Sequence, residues 1–269
     1  MGPRISGWAP LPEDPYVHIL KILCRTLVCI GHVDQARSRR DQALAEARKI
    51  SPYSLANMLR HVWYVDWAIG GEQSAQALLL LAEEVLAISS EYGFALPLAF
   101  GNIARGWCLG VLGEPGEGIS LIQQALSKFP TGAKLGAPFH LTVLAELHGK
   151  VEQPEEGLKR LAEAANLVEA THERWAEAEM HRLRGTLLLS MHEHAAAENS
   201  YRRALEVAQR QNAKFWELRA ALDLARLWRD EGKRADARNL LSPIFGWFTE
   251  GCDTRDLKDA RVLLDELAS

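Results

Sequence analysis

Apolar residues in this chain recur every three or four positions over long stretches, with short polar breaks between them. HILKILCRTLVCI followed by VDQARSRRDQALAEARKI shows the pattern early, and ERWAEAEMHRLRGTLLLSM followed by HAAAENSYRRALEVAQRQ shows it again later. That spacing gathers the apolar side chains on one face of an α-helix. No β-branched alternating run of useful length occurs, and no Asn-Gly or Asp-Gly hairpin turn. The prediction is helix throughout.

The helices come in repeating pairs. LGEPGEGISLIQQA at 112–125 and VEQPEEGLKRLAEA at 151–164 align without a gap, sharing Pro, Glu, Gly and Ala. Extended in both directions, the match yields six copies of one small-residue position: Ala36, Ala75, Gly118, Gly157, Ala197 and Ala237. Seven residues after each come Ala43, Ala82, Ala125, Ala164, Ala204 and Ile244. Small residues two helical turns apart are a packing rule, because a bulky side chain there would force neighbouring helices apart. Five residues before each copy stand Gly31, Gly70, Gly113, Glu152, His192 and Gly232, where a positive φ suits the end of a helix. Each unit therefore reads helix, short turn, helix. The units run approximately 14–50, 53–92, 94–130, 136–170, 172–212 and 213–250, after a Pro/Gly-rich arm at 1–13.

Pro52, Pro115, Pro130 and Pro154 fall at predicted helix starts or junctions. Pro243 falls inside the sixth second helix, where a kink or an early stop is expected. A last amphipathic stretch, 254–268, opens with Asp253 or Thr254 as an N-cap and Asp256 in the first turn. Standing alone after six pairs, it reads as a cap over the open apolar face of the last unit. The expected fold is all-α, a right-handed α–α superhelix of about six helix pairs.

A small residue, a glycine turn, then Ala, a bulky residue and Ala at fixed spacing resembles the tetratricopeptide pattern. The fifth unit carries it best, in Gly185, Leu188, Ala197, Tyr201, Ala204 and Leu205. The spacing near 40 is longer than the usual repeat. The phrases RWAEAEMHRLRGTLLL, YRRALEVAQRQNAKFWELRAALDLARLW and GWFTEG resemble the C-terminal helical region of bacterial signalling proteins. Those proteins carry a class III adenylate or guanylate cyclase, or a LuxR-type DNA-binding domain, with a STAND-type ATPase. The resemblance implies a sensory or scaffold region, with an attached ATPase or cyclase module among its partners. It does not imply cyclase activity here. Gly149–Lys150 and Gly232–Lys233 lack the rest of a phosphate loop. Cys252 stands where that family has an aromatic residue, which bears only on packing of the cap.

Composition adds limits. Of 269 residues 48% are hydrophobic and 25% charged, enough apolar surface for a core. A net charge of −4 argues against a nucleic-acid partner. No apolar run is long enough for a membrane span. Cys24, Cys29, Cys108 and Cys252 form no CxxC, so reduced thiols and a cytoplasmic location are expected.

No enzymatic motif stands out, and no cofactor is expected. His192-Glu193-His194 reads as a solvated turn without a third metal ligand. Cys24 and Cys29, five apart, do not share a helix face. Glu83-Glu84 and Glu155-Glu156 read as surface charge and helix-dipole complement. The better candidates come from geometry, since the first helix of each pair lines the concave face. Its inward positions are His18, Lys21, Arg25, Asn57, Arg60, Tyr64, Trp67, Phe100, Ile103, Trp107, Phe139, Thr142 and Glu146, then Arg182, Arg219, Arg226 and Arg229. Aromatics in the middle and arginines toward the C-terminal end suit a peptide or small polar ligand. Two readings follow: a non-catalytic scaffold with an open groove for a peptide or partner domain, or a small-molecule sensor with an enclosed pocket around Tyr64, Trp67 and Trp107. The second resembles sugar-sensing activators with similar long repeats.

Overall fold

A computed structural model of the chain describes residues 14–129 and 136–268; the arm at 1–13 and Pro130 lie outside them. Within the described residues every regular element is a helix. The first helices of the pairs are α1 (Pro15–Cys29), α3 (Pro52–Ile69), α5 (Ala95–Val111), α7 (Ala137–Lys150), α9 (Glu177–Ser190) and α11 (Lys214–Asp230). Each is followed by its partner: α2 (Val33–Ile50), α4 (Gly71–Tyr92), α6 (Pro115–Ser127), α8 (Pro154–Thr171), α10 (His194–Arg210) and α12 (Arg234–Phe245). A single α13 (Arg255–Ala268) ends the fold.

Local chemistry sets the helix ends. Pro52, Pro115 and Pro154 each begin a helix, where the missing N–H costs no bond. Ser51 caps α3 by accepting from the Ser54 N–H at 3.1 Å, and Asp14 caps α1. All six turn positions have positive φ: +93° at Gly31, +69° at Gly70, +109° at Gly113, +56° at Glu152, +64° at His192 and +79° at Gly232. The turn geometry is thus imposed by the repeat even where the residue is not glycine. At the end of the chain, α12 stops at Phe245, two residues past Pro243. The predicted side-chain cap on α13 does not form. Thr254 Oγ1 is buried with no hydrogen-bond partner among the described residues, and Asp253 is taken up by Arg37. Asp256 does lie in the first turn.

The six small positions are all buried, and so are Ala43, Ala82, Ala125, Ala164 and Ala204. Where glycine occupies the position the approach is closest. A Cβ on Gly118 would collide with the backbone oxygen of Gly106, and one on Gly157 would stand 2.8 Å from Leu187 Cδ1. First helices pack on one another in order, α1 on α3, α3 on α5 and so on to α11, which also meets α13. Second helices lie outside, each wedged between its own first helix and the next. This is an α–α superhelix, with α13 covering α11 and α12.

The superhelix also closes on itself, which the repeat pattern did not predict. Helix α1 touches α11. Gly31 lies so close to the last loop that a Cβ would stand 2.6 Å from Trp247 Cζ3 and 3.2 Å from Lys214 Cβ. Polar contacts reinforce the join: His32 Nδ1 lies 2.8 Å from Glu250 Oε1, and Gln35 donates to the same oxygen at 2.8 Å. Arg37 donates to Asp253 at 2.8 Å, and the Gly251 N–H donates to Asp34 at 3.1 Å. Glu250 is partly buried, but hydrogen bonds from Gln35 and His32 outweigh that and hold it below the usual carboxylate range.

Candidate functional site

Because the inner helices form one closed turn, their inward side chains meet at the centre. That centre is filled by aromatic rings. Trp63, Trp107, Phe139 and Trp216 are at most 1% exposed, and Trp67 and Tyr64 are nearly as deep. Trp67 from the second pair meets Phe139 from the fourth at 4.7 Å between ring centroids, and Trp216 from the sixth at 5.6 Å. Phe139 also meets Trp63, Tyr64 and Trp175 within 5.0 Å. Such contacts fill the space that the scaffold reading assigned to an open groove.

The cationic residues predicted around these rings are held against them. The Arg25 guanidinium lies 5.7 Å from the Tyr64 ring and 5.3 Å from that of Trp175. That of Arg60 lies 5.0 Å from Phe100, while its Nε donates to the buried Asn57 side chain. Lys21, Phe100, Ile103 and Thr142 are buried, whereas His18 is exposed. Arg229 lies away from this centre, paired with Asp230 and Glu266.

At one mouth of the ring the packing opens into a cavity of about 260 Å³. Its aromatic wall is Trp67 and Trp107, its neighbour on α7 is Glu146, and Arg182, Arg219 and Arg226 stand on α9 and α11. Asp223, Arg255, Asp256 and Asp259 complete that side, and the Gly70–Gly71 turn borders the other. One oxygen of Glu146, Oε2, accepts from Trp67 Nε1 at 3.1 Å and from Trp107 Nε1 at 3.2 Å. Trp107, Glu146 and Arg226 each stand six residues before the turn of their pair, so the repeat delivers them to equivalent inner positions.

The arginines are already engaged. Arg182 lies between Glu179 and Asp223, and although burial opposes its charge, these carboxylates hold it well above the ordinary guanidinium range. Arg219 pairs with Glu179 at 3.0 Å, and Arg226 with Asp223 at 3.2 Å and Asp259 at 2.8 Å. Burial pushes the Asp256 carboxyl up despite Arg219 and Arg182. Glu146 differs: among the described residues no Lys or Arg forms an ion pair with it.

The structure thus gathers Trp67, Trp107, Arg182, Arg219 and Arg226 around one cavity, and places Arg25, Asn57, Arg60, Tyr64 and Phe139 in the packed centre below it. Sequence reasoning missed Trp175 and Trp216. Trp216 donates to the Trp175 backbone oxygen at 3.1 Å, and their separation is close to one repeat, a signal that could have paired them. It also missed Asp223, which sits one turn from both Arg219 and Arg226 on α11.

The other candidates are structural. Glu83 pairs with Arg105, and Glu84 with Arg48. Glu155 and Glu156 open α8. Burial pushes the Cys24 thiol up to about 11 and that of Cys29 up to about 12. No group of three metal-ligating side chains gathers among the described residues, and no described helix is long and apolar enough to cross a membrane.

No protein-family model matches the chain, and no curated protein matches its sequence. Solved structures do match in shape. NprR in complex with its cognate peptide NprX superposes with a TM-score of 0.64 at 13% identity, covering 98% of this chain and 73% of that one. A Rap protein complexed with Competence and Sporulation Factor gives 0.52 at 14% identity, covering 94% and 87%. The apo form of RapI gives 0.54 at 12% identity, covering 94% and 70%. At these identities the likeness is one of fold: this chain is a tetratricopeptide-like α–α superhelix.

Proposed function

We propose that this chain is a non-catalytic interaction domain of a bacterial signalling or regulatory protein, binding a peptide or a segment of a partner at the mouth of the closed superhelix. The observation that carries the reading is the cavity itself. It joins an aromatic wall, Trp67 and Trp107, to a ring of charged side chains on three inner helices, α7, α9 and α11, and on α13. Aromatic faces beside fixed charges are what a short peptide needs for shape and register. Two neighbours of this fold are held with a ligand, NprR with its cognate peptide NprX and a Rap protein with Competence and Sporulation Factor, and the first supports the choice of a peptide. The resemblance of its phrases to cyclase- and ATPase-linked helical regions supports an attached module as the receiver of the signal.

A small-molecule sensor is the second reading, and one observation favours it. The centre of the ring is packed, so the remaining cavity of about 260 Å³ admits a small ligand or the end of a peptide rather than an extended chain. A thermal-shift screen with peptides beside a metabolite library separates the two. A ligand at a hundredfold excess over its dissociation constant stabilises by about 2.7 kcal/mol. A peptide hit lost in Trp107→Ala supports the first reading, a metabolite hit supports the second, and silence from both sinks the assignment to this cavity.

A further inference from the structure

The charged groups around the cavity are unequal. Arg182, Arg219 and Arg226 each carry carboxylate partners on their own or neighbouring helices. An incoming anion would therefore compete with acids already in place. Among the described residues Glu146 has no ion-paired cation, and its hydrogen-bond partners are two neutral indole N–H groups that both take the same oxygen, Oε2. They orient the carboxylate without neutralising it. Lys150, one turn further along α7 and also on the cavity, does not pair with it.

The backbone adds to this polarity. Glu146 lies one turn before the C-terminal end of α7, and the C-terminal ends of α3 and α5, at Ile69 and Val111, border the same cavity. Helix C-termini carry partial negative charge and favour a cation. Trp67 and Trp107 are almost wholly buried and meet the cavity at their edges, so what they bring to it is the N–H pair that fixes Oε2 and turns the other carboxylate oxygen to the ligand.

We propose that this cavity is an ammonium-binding site, in which Glu146 receives a primary alkylammonium group against Trp67 and Trp107. The proposal deepens the peptide-binding reading and rests on it for the source of the group, a peptide's α-ammonium or a lysine side chain. The carboxylate forms charge-assisted hydrogen bonds through its second oxygen, while Oε2 stays with the indoles.

The test uses the full chain with ¹⁵N-labelled tryptophan and follows the indole N–H signals by NMR. n-Butylammonium chloride is titrated beside sodium chloride and n-butanol as matched controls. The signals of Trp67 and Trp107, assigned by Trp67→Phe and Trp107→Phe, are expected to move saturably with n-butylammonium alone. Glu146→Gln keeps an acceptor for the indoles and is expected to weaken that binding by on the order of tenfold or more. Should this variant fail to fold, Glu146→Ser, which also removes the charge, provides the same comparison. No saturable movement, or equal affinity in the folded variant, overturns the proposal. Peptides are then compared with and without N-acetylation, and with norleucine in place of lysine. Loss on acetylation assigns the α-ammonium, and loss with norleucine assigns the side chain. Peptides that bind indifferently to both changes leave the peptide-binding reading standing and refute the ammonium site. Saturable n-butylammonium with no peptide bound does the reverse.

Discussion

Trp67 and Trp107, on helices one repeat apart, converge on a single oxygen of Glu146, at 3.1 and 3.2 Å. Both rings are almost wholly buried, so neither N–H has water as a ready substitute. Glu146→Leu should therefore lower stability by about 2 kcal/mol or more, since an unsatisfied buried donor costs roughly 1–3 kcal/mol. Glu146→Gln should stay within about 1 kcal/mol of the parent, its amide oxygen accepting both bonds. Urea unfolding of the two variants distinguishes a hydrogen-bonding role from a purely steric one. Equal losses would rule out the former.

The turn series offers a test with opposite signs at equivalent sites. Glu152 and His192 hold φ of +56° and +64°, a region that costs a non-glycine residue roughly 1 kcal/mol. Glu152→Gly and His192→Gly should each be neutral or stabilising by up to about 1 kcal/mol. Gly113→Ala, at φ +109° with open space around it, should be destabilising through backbone strain alone. Melting temperatures of the three variants give the comparison directly.

Two glycines in the first turn of α6 should also part company. Gly116 has open space where a Cβ would stand, so Gly116→Ala should stabilise by up to about 1 kcal/mol through helix propensity. A Cβ on Gly118 meets the Gly106 backbone oxygen, and Leu147 Cδ1 at 3.1 Å. Backbone cannot rotate away, so Gly118→Ala should cost about 1–3 kcal/mol as an overpacked helix crossing.

Two buried groups give opposing dependences on pH. Burial lowers His140 to about 3, below the ordinary 6.5. The folded state thus binds fewer protons than the unfolded one between these values, and stability falls as pH drops below about 6.5. At pH 5 this amounts to roughly 2 kcal/mol. Burial raises Asp66 to about 6 from 3.8, only partly offset by Arg40. Its folded state binds more protons, so its contribution is full below about 4 and declines as pH rises to 6. Unfolding free energies of His140→Phe and Asp66→Asn, measured from pH 4 to 8, should each remove one slope, in opposite directions.

The join between the first and last units should loosen in acid. A hydrogen bond from Arg37 holds Asp253 below the usual carboxylate range, and Glu250 is likewise depressed. Groups with depressed values stabilise above their unfolded pKa and lose that contribution as pH falls through the folded one. Cys252 is exposed, Cys24 and Cys108 are buried and Cys29 is half-buried, so in a Cys29→Ser background a spin label on Cys252 and a second on Ser38→Cys would report the join selectively. The distance distribution should broaden as the carboxylates protonate, and Arg37→Ala should broaden it already at neutral pH. A sharp, unchanged distribution in both cases would show that Gly31 against Trp247 suffices.

Much of the fold was legible because a repeat writes its packing rules several times. Ala36, Ala75, Gly118, Gly157, Ala197 and Ala237 mark the helix crossings, and all are buried. What the repeat could not express is curvature. Each step between neighbouring pairs is small, and their sum decides whether Gly31 meets Trp247 or points into solvent. The site suffered from the same gap. The inward register brought Trp67, Trp107, Glu146 and the arginines to light, but an open arc would have left a groove where the closed one packs Trp67 on Trp216. Partners such as Asp256 and Asp259 come from α13, which belongs to no repeat and obeys none of its spacing.

The contact between α1 and α11 changes what kind of object this is mechanically. A linear array of repeats has two termini from which it frays, and its stability is a sum of nearest-neighbour interfaces that can be lost one at a time. Here the terminal units are neighbours, so no unit can peel away without first breaking an interface on both sides. Unfolding must begin with an internal rupture, like opening a hoop rather than unwinding a spring. Amide exchange should then be nearly level around the inner helices instead of fading toward α1 and α11. A ligand seated where the two ends approach would act as a clasp on the whole circumference.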